Sequence, residues 1–324
     1  MRKVAAGVAV ALSVGVAGCA NGDPPAGAPA AAARPGFSVE AADAVLSAFD
    51  QADSAASGAS DPAGLKAQEV PPSLDISLAS ANRARIAKRT PPAFRHTAAG
   101  FALPAGDASC FLVVASLQVQ GTELPLSDIT QFVRQDSGGW KVSHNVGVGQ
   151  SAVAQARTLA GGAAVATGTA LDETRRKQLE TEVFSRTISA AAPDVTVLAS
   201  SDLLDRQFAA GWDVYRQQLS GVGMRVERTM TDAGWSQCAA RTDAGVFAFL
   251  TLRATDTVVG GKGKPATLAP PSPDLLGLGR TEPVSAPSIA VSRVQVFALF
   301  VPAAAGKPAT LLGLNDAPTA LDLG

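Results

Sequence analysis

A short stretch of this chain occurs twice. "GDASCFLVVASL" at 106–117 returns as "TDAGVFAFLTLR" at 242–253, with Asp107, Ala108 and Phe111 matching Asp243, Ala244 and Phe247. Each copy is a turn feeding an apolar strand, and each is followed by a strand carrying a phenylalanine, "DITQFVRQ" at 128–135 and "SRVQVFALFV" at 292–301. A glycine-bearing turn, "DSGGWK" or "AAAGKP", then opens a last strand, "WKVSHNVGV" or "ATLLGLN". Three features in the same order at this separation describe a duplicated domain, not a short solenoid repeat. The expected division is a first domain over 38–148, a linker over 149–168 and a second domain over 169–324.

Helices precede the strands in both copies. Ser38 is placed to cap a helix whose apolar positions Val39, Ala42, Leu46 and Phe49 recur at helical spacing, ending near Gly58. In the second copy a helix over 171–188 gathers Leu179, Val183, Phe184 and Ile188 on one side. Another begins at Ser201 and sets Leu204, Phe208, Trp212, Tyr215 and Leu219 on one face before Gly221 stops it; Trp212 and Tyr215 read as core. The second copy also carries an insertion at 255–287 with six prolines, in which "LAPPSPDLLGLGR" mixes proline with leucine and favours ordered packing. Helices followed by an antiparallel run of strands is an α+β pattern, the helices covering one face of a curved sheet. The order looks like the cystatin-like cone of the nuclear-transport-factor and steroid-isomerase superfamily.

The N-terminus predicts export. Met1-Arg2-Lys3 is followed by an apolar run to about Val14 and then Val16-Ala17-Gly18-Cys19, a cationic start and a hydrophobic segment too short to span a bilayer. Residues 16–19 resemble the lipobox of bacterial lipoproteins, which implies a signal peptide over 1–18 and acylation of Cys19. One acyl chain holds only marginally, so the diacyl or triacyl form usual for the class is what stable anchoring requires. The following "ANGDPPAGAPAAAARPGF" is nearly all Ala, Pro and Gly, an extended tether completing the segment 19–37.

Lipobox, tether and two helix-then-strand halves together resemble a family of actinobacterial lipoproteins. The residues that carry the resemblance are "AADAVLSAFDQAD", "DITQFVRQDSGGWKVS" and "VFALFVPAAAGKPATLLGLND". It implies an extracytoplasmic protein on the outer face of the cell membrane and no particular activity.

Composition narrows the chemistry. The chain has two histidines, one tyrosine and three cysteines. His96 and His144 sit in different elements without H-E-x-x-H or C-x-x-C spacing, so no metal site is expected. No G-x-S-x-G, P-loop or helix-opening G-x-G-x-x-G occurs, so serine hydrolases, NTPases and dinucleotide enzymes lose their usual support and no cofactor is expected. In "WKVSHNV" strand alternation sets Trp140 and His144 on one face, either lining a cavity mouth or tucked at the rim of the core. Arg83, Arg85, Lys88 and Arg89 form a basic segment with no acid between Asp75 and Asp107, a contact for anionic lipid or wall polymer or else a solvated face. Nucleic acid does not fit an exported chain whose cations lack interleaved aromatics. With Cys19 acylated, Cys110 and Cys238 remain, one per half, and leave open a disulfide or two buried thiols.

Two functions follow. One is a non-catalytic lipoprotein that binds a protein, an envelope component or a small apolar ligand. The other is a cone enzyme of isomerase or dehydratase type on a small hydrophobic molecule, with His144 as the acid-base candidate.

Overall fold

The computed structural model describes residues 37–104, 109–149, 164–167, 170–189 and 196–324. Residues 1–36, which hold the expected signal peptide, Cys19 and all but the last residue of the expected tether, lie outside the described residues, as does most of the stretch expected as a linker.

Helix α1 (Val39–Ala59) begins where Ser38, in extended backbone, accepts from the Ala41 N–H at 3.2 Å. It buries Ala42, Leu46, Phe49 and Ala56 along one stripe. Helix α2 (Pro62–Gln68) is capped by Asp61 and carries proline at its first position, where the missing N–H loses nothing. Helix α3 (Ser73–Ile86) leads to four strands, β1 (Phe94–Pro104), β2 (Cys110–Val119), β3 (Thr122–Arg134) and β4 (Trp140–Gly149), each antiparallel to the one before.

The second half opens with β5 (Ala164–Thr167) and α4 (Glu173–Ile188). The helix expected from Ser201 is present, but its first part, Asp202–Phe208, is π-helical and runs into α5 (Ala209–Gly221). Strands β6 (Arg225–Trp235), β7 (Cys238–Thr242) and β8 (Gly245–Val259) follow. The proline-rich insertion is ordered as the end of β8, a hairpin of β9 (Ala266–Leu268) and β10 (Val284–Ala286), and the short helix α6 (Pro273–Gly277). Its Leu268 and Leu275 are buried against Val258 and Ile289. Strands β11 (Ser288–Pro302) and β12 (Thr310–Leu323) close the chain.

The class is α+β, and the strands of both halves belong to one sheet. Its ten strands run β12-β11-β8-β7-β5-β1-β2-β3-β4, with β6 also paired to β8. The segment read as a linker supplies β5, parallel to β1 on one side and antiparallel to β7 on the other. Residues 36–324 form one compact unit.

The sheet folds over so that its two halves lie face to face, with helices outside. Alternation along β11 sends Val296, Ala298 and Phe300 inward, against Leu112, Val114, Ile129, Val146 and Val148 of the first half. Phe297, Leu299 and Val301 point outward, against Leu179 and Val183 of α4 and Leu204 of the π-helical turn. On the opposite outer face Leu46 and Phe49 of α1 cover Phe111, Val113 and Phe132. The layers are therefore helix, sheet, sheet, helix. Gly313 on β12 passes so near β4 that a Cβ there would lie 2.2 Å from the Gly147 carbonyl oxygen.

One pairing in the repeat changes. Phe111 faces the helices, whereas Phe247 faces inward and meets Phe300 at 4.8 Å between ring centroids. Matching them by identity slips the register by one residue, which in a strand exchanges the faces. Phe132 and Phe297 do correspond, both facing their helices.

Candidate functional site

The acids of α1 announce the site. Asp50 and Asp53 sit on the buried stripe of the helix, where their neighbours are Phe49 and Ala56. A carboxyl in such a place is unfavourable unless it finds partners, and β1 supplies one. His96 is buried, its backbone N–H donates to Asp50 Oδ2 at 2.6 Å, and its Nδ1 lies 2.6 Å from Asp50 Oδ1. On the other side of the ring Nε2 lies 2.9 Å from Asp128 Oδ2 on β3. Burial works against the imidazolium, but the bonds to Asp128 and Asp50 outweigh it and push the His96 pKa up to about 9. Both ring nitrogens then donate to carboxylates, and neither is free for a substrate.

Asp53 has a different partner. Glu69 follows α2, and the next residue, Val70, fixes the backbone by donating to the Val142 carbonyl of β4 at 2.9 Å. Ser77 of α3 donates to Glu69 Oε1 at 2.9 Å, and Ser57 approaches Asp53 Oδ2 at 3.5 Å. The two carboxyls hydrogen-bond to each other, which requires a proton on one of them. Burial pushes Glu69 up to about 8, with the Asp53 charge adding to the effect, and pushes Asp53 up to about 6. No N–H or O–H of the described residues reaches Asp53 Oδ1 or Glu69 Oε2.

Asp53, Glu69, His96 and Asp128 line a cavity of about 330 Å³ between α1, α3 and strands β1 to β4. Phe49, Phe94, Leu117, Val119 and Pro92 form apolar walls, and Asp53, Glu69 and Asp128 converge on the interior. Size, lining and a few convergent polar groups match small-molecule sites.

The second half has a counterpart of about 310 Å³ between α5 and the outer face of its sheet. Trp212 and Tyr215, expected as core, line it; Trp212 covers the Arg228 guanidinium at 4.1 Å. Arg228 binds Asp256 in bidentate fashion at 2.6 and 2.8 Å, and Arg293 joins Asp256 to Asp274 and Asp316. Asp128 and Arg293 stand four residues before the matched Phe132 and Phe297, so each half places a charged residue of the same strand in its cavity.

The residues singled out from sequence fall elsewhere. Trp140 and His144 do not share a face, because a bulge at Ser143 interrupts the pairing of β4 with β3. Trp140 packs with Phe37 and Phe111 under α1, while His144 points inward and stacks on Phe249 at 4.9 Å. Burial pushes the His144 pKa down to about 3, and among the described residues its nitrogens meet Ser143 at 3.1 Å and Thr251 at 3.3 Å. Neither residue lines either cavity, and the expectation that the pair lines a cavity mouth does not hold. Arg83 and Arg85 lie in the last turn of α3, where Arg83 donates to the Ala79 carbonyl, and Lys88 and Arg89 follow, exposed; none forms an ion pair among the described residues. Cys110 and Cys238 are joined by a disulfide between the two inner faces, their Cα atoms 6.4 Å apart. No group of His, Cys, Asp and Glu fit to hold a metal occurs among the described residues.

The acid and histidine cluster escaped the sequence reading because its members are scattered over four elements without a motif. The signal that was present is Asp50 and Asp53 on the apolar stripe of α1.

No curated protein matches this chain, and no solved structure does. One family model, described as a domain of unknown function (DUF8094), matches residues 33–321 and so spans both halves. The chain belongs to that family.

Proposed function

We propose that this chain is an exported lipoprotein, anchored through Cys19 to the outer face of the cell membrane, that holds a small molecule in the cavity beneath α1. The observation that carries the binding reading is the pair of buried oxygens, Asp53 Oδ1 and Glu69 Oε2, left without a donor among the described residues in a cavity with apolar walls. Anchoring is supported by the lipobox at 16–19 and the proline-rich tether. Helices followed by antiparallel strands in each half support descent from two tandem cystatin-like units, now sharing one sheet. The role is binding, without catalysis, of a compound from the envelope.

A second reading rests on the same pair. Carboxyls at about 6 and about 8 straddle neutrality, so one is a base while the other is an acid, as an isomerase or dehydratase acting on a small hydrophobic molecule requires. In that reading His144 has no part.

Native mass spectrometry of the lipoprotein, gently extracted from its own membrane, tests both. A bound compound retained by the wild type and lost from Asp53→Ala supports the site; its release in altered form favours the enzyme. A wild-type chain that carries nothing argues against the binding role. Cys19→Ser sends the protein to the soluble fraction if the anchor is as described.

A further inference from the structure

The charged groups of the cavity beneath α1 are three carboxyls and one histidine. Asp53 faces it from α1, Glu69 from the turn after α2, His96 from β1, with Asp50 behind its ring, and Asp128 from β3; the neutral Ser57, Ser77, Ser80 and Asn145 complete the polar lining, and Ser73 and Ser77 of α3 meet Glu69. The His96 cation is enclosed by Asp50 and Asp128 and presents no free N–H. The four carboxyl groups therefore outnumber the one cation even with a proton held between Asp53 and Glu69. Asp53 Oδ1 and Glu69 Oε2, both buried, accept from no donor among the described residues.

Building on the binding role proposed above, we infer that the ligand is a monocation with an apolar body, its charged head lodging between Asp53 and Glu69 in place of the proton they share. An ammonium supplies several donors where the proton supplied one bond, and two ionised carboxylates offset its charge. The body lies along Phe49, Phe94, Leu117 and Val119. Binding then releases a proton from the protein, and the cavity discriminates against anions of the same shape.

The test uses the full lipoprotein in detergent and three probes with one phenethyl body: phenethylammonium, phenethyl alcohol and hydrocinnamate. Calorimetry at a pH of about 8 and below, in two buffers of different ionisation enthalpy, reads affinity and protons released together. Phenethylammonium binds with release of about one proton, and its affinity drops about tenfold per pH unit below about 8, more steeply below about 6. In Glu69→Gln the amide still donates to Asp53 but has no proton to give up, so proton release disappears and the pH dependence between about 6 and about 8 flattens. Equal or tighter binding of the alcohol or the carboxylate, competing at the same cavity, overturns the charge assignment and leaves the binding site standing. No heat from any of the three overturns both. Unchanged proton release in Glu69→Gln also overturns the inference.

Discussion

Asp128 on β3 reaches His96 on β1 at 2.9 Å although β2 runs between their strands. The two side chains meet above β2, and Asp50 closes the other side of the ring from α1. A helix and two non-adjacent strands are thereby tied to one charged ring, which makes the first half sensitive to alkali.

The first expectation is a pH profile. His96 is raised to about 9, so the folded state keeps a proton that the unfolded chain releases near 6.5; this stabilisation is complete below that pH and is lost as the pH rises through about 9. Glu69 acts with the same sign between about 4.5 and about 8. The melting temperature falls from pH 6.5 to pH 9, and less steeply in Glu69→Gln. A flat profile in thermal scans over that range excludes a charged His96.

On the acid side His144 has the opposite sign. It stays neutral to about 3 in the folded state, so the unfolded chain takes up the proton first, and stability drops as the pH falls from about 6.5. Replacing it with Gln, which carries no titrating charge, shallows that decline. Unaltered acid sensitivity of the variant in urea titrations contradicts this.

The disulfide closes a long loop, since Cys110 and Cys238 are 128 residues apart. On the chain-entropy argument its loss costs about 5 kcal/mol, native strain aside. The Cys110→Ala, Cys238→Ala double variant has a lower urea midpoint than the oxidised protein, and reduction of the wild type reproduces it. Equal midpoints count against a stabilising bridge.

Two glycines give opposite results with the same substitution. At Gly313 an added methyl meets the Gly147 carbonyl at 2.2 Å, and Gly313→Ala destabilises by about 1–3 kcal/mol. Gly211 within α5 has open space beside it, so Gly211→Ala stabilises by about 0.5–1 kcal/mol. Loss of stability in both would mean that the space beside α5 is not open.

Asp256 is 1 % exposed and accepts from both Arg228 and Arg293. Asp256→Ala leaves the Arg228 charge buried without its carboxylate and costs about 3–5 kcal/mol. A loss below about 1 kcal/mol in chemical denaturation indicates that water enters the cavity freely.

What was legible in the sequence followed from local rules. Ser38 capped α1, and the positions from Leu204 to Leu219 formed one helical face. The α+β class followed from their order. What was not legible depends on partners distant in the chain. Nothing near Val296 or Ile129 says that each faces the other half's sheet, and a single bulge at Ser143 separates Trp140 from His144. Asp50, Glu69, His96 and Asp128 become one site only after α1 has docked on β1 to β3. A charged residue on an apolar stripe is the one local signal of such a site, and Asp53 carried it.

The face-to-face halves also bear on how this gene can change. Each half completes the other's hydrophobic interior, with Phe300 and Val296 meeting Leu112 and Val146. A truncation or recombination breakpoint between them would expose an apolar sheet face to water on both products and remove the cysteine that each needs from the other. The two halves are therefore bound to be inherited together, and substitutions on one inner face constrain which residues the other can accept.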